Sequence, residues 1–185
     1  MSRAAATVLL ALACAAAHAA PEVWPIDSAH SSARFSVRTL WFTHERGAFD
    51  GVHGELRRSD ADRDVVDAWI DAGSLSMDDA HALREARGPG FFDVAQHPRI
   101  HFVSSPLAPT VLADGGTLEG ILDLRGQRRW VQFTVQPSAC PAQPLTCPIR
   151  VHGTLSRGAF GMRAHRGLLS DKVVFDLDIL LVTPG

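Results

Sequence analysis

The sequence predicts an all-β domain, a barrel or a sandwich of about eight strands with one short helix. Three observations carry this. Several segments alternate apolar and polar residues with a period of two, which is how an antiparallel strand turns one face to a core. Glycine-centred turns separate them. Only one stretch has the grammar of a helix.

The elements follow in chain order. Val23 to Asp27 is a short first strand. Ala33-Arg34-Phe35-Ser36-Val37-Arg38 puts Phe35 and Val37 on one face and two arginines on the other. Phe49 to Leu56 and Val65 to Ala72 alternate more weakly. Asp78 to Arg87 has acids at its start, helix formers inside and Gly88-Pro89 as a stop, so it is read as the single short helix. Arg99 to Ser104 is a weak strand. Thr117 to Leu124 sets Leu118, Gly120, Leu122 and Leu124 against Glu119, Ile121 and Asp123. Trp130 to Val135 sets Val131, Phe133 and Val135 against Trp130, Gln132 and Thr134. Asp114-Gly115-Gly116 and Arg125-Gly126-Gln127 read as tight turns, and the proline-rich Pro137 to Pro148 as a loop. Ile149 to Leu155 and the long Lys172 to Leu181 complete the set.

The N-terminus reads as a secretory leader over residues 1–19, leaving one domain over residues 20–185. Met1 and Arg3 are followed by 14 uncharged residues, Ala4 to Ala17, and Ala17-His18-Ala19 is a small–x–small cleavage pattern. That run is short of the ~20 residues a bilayer span needs. A lipid-anchored reading at Cys14 is weaker, because Leu12 is misplaced for it. Without Arg3 the 18 basic residues become 17 against 20 acidic, a mildly acidic balance that lacks the basic patch of a nucleic-acid binder. The longest later apolar run, Ile179-Leu180-Leu181-Val182, is too short to span a membrane. Cys140 and Cys147, with six residues between them, read as a disulfide in an oxidising, periplasmic or secreted setting.

Four segments resemble the YceI-like family in the family's order: Ile26-Asp27-Ser28-Ala29-His30-Ser31, Phe91-Phe92-Asp93 running to Pro98-Arg99-Ile100-His101-Phe102, Leu122-Asp123-Leu124-Arg125-Gly126, and Arg157-Gly158-Ala159-Phe160-Gly161-Met162. The likeness extends from about Trp24 to Leu181. It implies an eight-stranded antiparallel lipocalin-like barrel, usually periplasmic, holding a polyisoprenoid or similar amphiphile.

The alternation alone selects Phe35, Val37, Phe102, Leu122, Phe133, Phe175 and Leu177 as inward positions. They suit an isoprenoid-like lipid or quinone tail, since each buried CH₂ is worth about 0.8 kcal/mol. The same pattern also describes a filled core, and with it a stress-related accessory or interaction protein that binds no lipid. The resemblance favours a cavity. Arg128, Arg129, Arg163 and Arg166 are head-group candidates, because a guanidinium fork suits phosphate. No cofactor, metal site or enzyme activity is expected. His97 and His101 would sit roughly 13 Å apart on a strand, too far to share an ion. Asp27, His30 and Ser31 have the residue types of a triad without its nucleophile elbow, and a local hydrogen-bonded corner is the simpler expectation for His30.

Overall fold

The computed structural model describes residues 22–40, 43–59 and 62–183. The leader reading over residues 1–19 lies outside them. Eleven strands form one antiparallel sheet: β1 (Glu22–Pro25), β2 (Ser32–Thr39), β3 (His44–Phe49), β4 (Val52–Ser59), β5 (Arg63–Asp71), β6 (Leu75–Ser76), β7 (Arg99–Ser104), β8 (Gly116–Leu124), β9 (Gln127–Val135), β10 (Ile149–Ser156) and β11 (Leu169–Ile179). Their order is β1-β4-β5-β7-β8-β9-β10-β11-β2-β3-β6.

Chain continuity makes this sheet curl. β3 lies near one end of the order and β4 near the other, yet only Asp50 and Gly51 separate them. β5 and β6 repeat the crossing through the 3₁₀ turn Ala72–Ser74. Two bent strands therefore hold both ends of the sheet together. Beyond β1, the Ile26 N–H bonds Gly54 O (2.8 Å) and the Asp27 N–H bonds Leu180 O (2.8 Å), stitching β4 to the end of β11. The result is a curled, lipocalin-like half-barrel.

The count corrects the eight strands expected. The strands not expected are β3, of which only Phe49 fell within a predicted strand, and the two-residue β6 beyond the 3₁₀ turn. Phe49 to Leu56, read as one strand, is broken at Asp50-Gly51. His44 to Phe49 escaped notice because its inward position beside Phe35 is Gly47, which carries no apolar signal.

The single helix is also corrected. α1 (Ala80–Arg87) is capped by Asp79, whose carboxylate accepts from the Ala82 N–H at 2.7 Å. That bond holds Asp79 below the usual carboxylate range. A second helix, α2 (Thr110–Asp114), precedes β8. Asp114-Gly115-Gly116 ends this helix rather than forming a hairpin, and Gly115 takes φ of 81° to do so. The Arg125-Gly126 pair does turn a hairpin between β8 and β9, with φ of 56° and 67°. Cys140 and Cys147 are bonded, with Cα atoms 6.0 Å apart. No described helix is long and apolar enough to cross a membrane.

Candidate ligand chamber

The concave face of the sheet encloses a cavity of about 130 Å³. Its wall takes Val66, Ala68 and Ile70 from β5, Ile100 and Phe102 from β7, and Leu118, Leu122 and Leu124 from β8. β9 adds Phe133, β10 adds Val151, and β11 adds Phe175 and Leu177. Leu107 and Leu112 cover the end near α2. The one charged residue along it is Glu55, whose carboxylate is bound by Arg57 at 2.7 Å. The alternation of each strand produces this chemistry directly. Leu122 faces in while its neighbours Ile121 and Asp123 face out.

A smaller apolar space of about 40 Å³ lies beyond, lined by Phe35, Val37, Phe91, Met162, Leu169 and Val173 among others. Phe92, Leu124, Leu155 and Phe175 border both spaces and form the partition between them. Here the interior is filled with rings. Phe35 meets Phe49 (5.8 Å), Phe92 (5.6 Å) and Phe175 (6.1 Å), and Phe92 stands edge-on to Phe49 at 5.2 Å.

Three inward glycines explain how aromatic residues and open space coexist. A Cβ at Gly153 would fall 2.1 Å from the Phe133 ring, one at Gly120 would fall 2.8 Å from Phe102, and one at Gly47 would fall 2.6 Å from Phe35. Each ring therefore lies flat over a glycine of the neighbouring strand. Phe133 and Phe102 consequently line the cavity rather than fill it. The glycines were legible as strand interruptions, but the cross-strand register that gives each one a ring was not.

All seven predicted interior residues face the concave side. Phe102, Leu122, Phe133, Phe175 and Leu177 line the main cavity, and Phe35, Val37 and Phe175 line the smaller space. The four arginine candidates are elsewhere. Arg128, Arg129, Arg163 and Arg166 are exposed around the end of the sheet where β8 turns into β9 and β10 leads to β11. Arg129 donates to Ala159 O at 3.3 Å. None of the four lines either space.

Different arginines organise the interior's ends. Arg157 is 4% exposed and donates to the carbonyls of Ser170, Met162, Ala164 and Leu169 at 2.7–3.2 Å. Burial pushes its guanidinium below its ordinary pKa. Arg125 ties three loops together, donating to Gly161 O (2.6 Å) and Pro89 O (2.5 Å) and approaching Asp93 at 3.9 Å. Phe91 sits over Arg157 and stacks on His165, which reaches Glu85 of α1 at 3.3 Å. This end is thus covered by α1, the loop that follows it and the segment 157–168. At the opposite end, fully buried Asp64 accepts two bonds from Arg58 (2.8 and 2.9 Å), and Trp24 stacks on that guanidinium at 5.1 Å. The Asp64 hydrogen bonds raise the Arg58 pKa. Sequence reasoning missed Arg58, Asp64 and Arg125, because an inward charge looks like any other charge until its partner is known.

The triad residue types do not assemble. His30 Nδ1 lies 2.8 Å from Asp27 Oδ2, and this bond lowers the Asp27 pKa. Ser31 Oγ instead bonds the backbone of Leu180, accepting at 3.0 Å and donating at 3.3 Å. His101 pairs with Asp67 at 2.8 Å, and His97 packs beside Gly126. Among the described residues no cluster of three or more His, Cys, Asp or Glu could hold a metal ion.

The YceI-like domain profile matches residues 24–181. Among solved structures, the fold is similar to BcnA of Burkholderia cenocepacia, with a TM-score of 0.69 at 20% identity, over 85% of this chain and 99% of that one. It is also similar to a polyisoprenoid binding domain from Saccharophagus degradans implicated in plant cell wall breakdown, with 0.64 at 17% identity over 87% and 98%. A YceI protein of Campylobacter jejuni gives 0.57 at 13% identity over 80% and 90%. Curated proteins give no match. At these identities the likeness establishes the fold.

Proposed function

We propose that this chain, which belongs to the YceI-like family, is an exported binding protein that houses the apolar tail of an isoprenoid lipid or quinone inside its curled sheet. The observation that carries the reading is the apolar cavity of about 130 Å³. An engineered cavity of similar size, about 150 Å³ and lined by Leu, Ile and Phe, stays dry and takes up benzene. The space at rest therefore suits a five- or six-carbon segment. Continued uptake of a chain follows if Phe92, the one partition residue carried by a loop, swings aside and joins the two spaces. Each further CH₂ buried would then contribute about 0.8 kcal/mol.

A binding role rather than catalysis is supported by Ser31, whose hydroxyl is committed to β11 backbone. A periplasmic or secreted location is supported by the bonded cysteines and the leader-like residues 1–19. Native mass spectrometry of protein purified from its own host, followed by organic extraction, is the test. A bound species releasing an isoprenoid lipid is expected. Protein that leaves the host empty, and that takes up no prenol delivered from ethanol, would instead favour the accessory-protein reading.

A further inference from the structure

We infer that the covered end, around the turn after β2 and the loop before β11, docks on an anionic phospholipid surface. This rests on the lipid-binding reading and adds the place where lipid is exchanged. Leu40 and Leu168 are 46% and 55% exposed, and the Leu40 N–H bonds Leu168 O at 2.8 Å. Two large apolar side chains thus stand side by side in water at the tip of the sheet. Isolated exposed leucines need no explanation, but these two share their surroundings with an unusual charge balance.

Residues 38–46 and 161–172 carry five cations, Arg38, Arg46, Arg163, Arg166 and Lys172, against two acids, Glu45 and Asp171. The whole chain has the opposite bias, 18 basic to 20 acidic. Asp171 is already occupied, accepting from the Ser156 hydroxyl at 2.5 Å and from the Gly158 N–H at 2.8 Å. Arg38 and Lys172 directly adjoin the Val37–Val173 pair, at the point where the β2–β11 register shifts, and both are exposed.

The patch also lies where it is needed. Val37 and Leu169, the chain neighbours of Arg38 and Leu168, line the smaller apolar space behind Phe91 and Phe92. Leucines that enter the acyl boundary, with guanidinium groups at phosphate depth, would place that space against the lipid it receives. Each basic group near an anionic surface is worth about a five-fold change in binding.

The experiment is co-sedimentation of the purified protein with phosphatidylcholine vesicles, with and without phosphatidylglycerol. Binding to the anionic vesicles that weakens as salt rises is expected. Arg163→Ala with Arg166→Ala should weaken it roughly 25-fold. Leu40→Ser with Leu168→Ser should weaken it further without changing the far-ultraviolet circular dichroism. Prenol uptake from ethanol, with no vesicle present, reads the chamber separately and should be unchanged in both double variants. Equal binding to both vesicle types, or to neither, overturns the docking surface. So does concentration-dependent self-association that the leucine changes abolish, which would assign the patch to a second copy.

Discussion

The interior has two halves built from the same residue types, and they differ in which loop residues reach them from outside the sheet. Towards the covered end, Phe35 touches Phe49, Phe92 and Phe175 and leaves about 40 Å³. Towards the other end, Phe102 and Phe133 contact each other at 5.7 Å, and about 130 Å³ remains before them. Composition is equally apolar in both. The difference comes from geometry: loop residues Phe91 and Phe92 both line the first half from outside the sheet, whereas only Phe92, at the partition, reaches the second. A filled core and an open chamber are therefore both present.

The largest expected effect comes from removing a ring on the filled side. Phe35→Ala deletes a side chain with aromatic neighbours on three sides and should cost about 3–5 kcal/mol. Phe102→Ala should cost less, because a ring facing empty space has fewer dispersion contacts to lose. Urea midpoints of the two variants check this. Equal losses would mean that the chamber side is as well packed as the other.

That contrast marks the limit of what the sequence discloses. The alternation in Thr117 to Leu124 and Trp130 to Val135 places every inward residue of β8 and β9 correctly, because a period of two is a local property. The openness of the space they face is not local. It depends on Gly153 lying opposite Phe133, and residues 20 apart in sequence acquire that relation only through register. The same reason hid β3, whose Gly47 faces Phe35, and α2, whose terminal glycines also look like a hairpin. The buried Arg157 stood in plain sight within a family-like segment, but its four acceptors are backbone carbonyls, which no residue pattern reports.

A second test converts the open half towards the filled one. Gly153→Ala brings a Cβ to 2.1 Å from Phe133, so that ring must turn into the cavity. The strain should cost about 1–3 kcal/mol, and prenol uptake should fall sharply. Unchanged uptake in the folded variant would show that the ring has another place to go.

Leu122→Trp separates volume from strain. Leu122 is buried mid-strand and faces the cavity. In a filled core this overpacking would cost about 1–3 kcal/mol. With open space before it, the indole should be accommodated for less than about 1 kcal/mol, while uptake is lost. Thermal unfolding and uptake measured on one preparation decide between these outcomes. Strong destabilisation of the ligand-free variant would count against a chamber at this position.

The smallest effect distinguishes the two halves by acid. Asp171 accepts first from the Ser156 hydroxyl and then from the Gly158 N–H, and these bonds hold its carboxyl below the usual range. They brace the turn Arg157–Phe160, from which Arg157 reaches four carbonyls of the covered end. A carboxylate with a lowered folded pKa stabilises the fold above its unfolded pKa, and that contribution is lost as pH falls through the folded value. Asp171→Asn should therefore be less stable than the parent at neutral pH, and the two should converge below the ordinary carboxylate range, about pH 4. Asp171 is exposed, so the shift in midpoint should be small. Hydrogen exchange gives the regional readout: amides in 157–170 should lose protection in acid before those of β8 and β9, where the Glu119 carboxylate accepts from the Gln132 side chain at 3.2 Å rather than from a backbone N–H. A gap between the two proteins that stays constant across pH would mean that the asparagine acts through shape and not through charge.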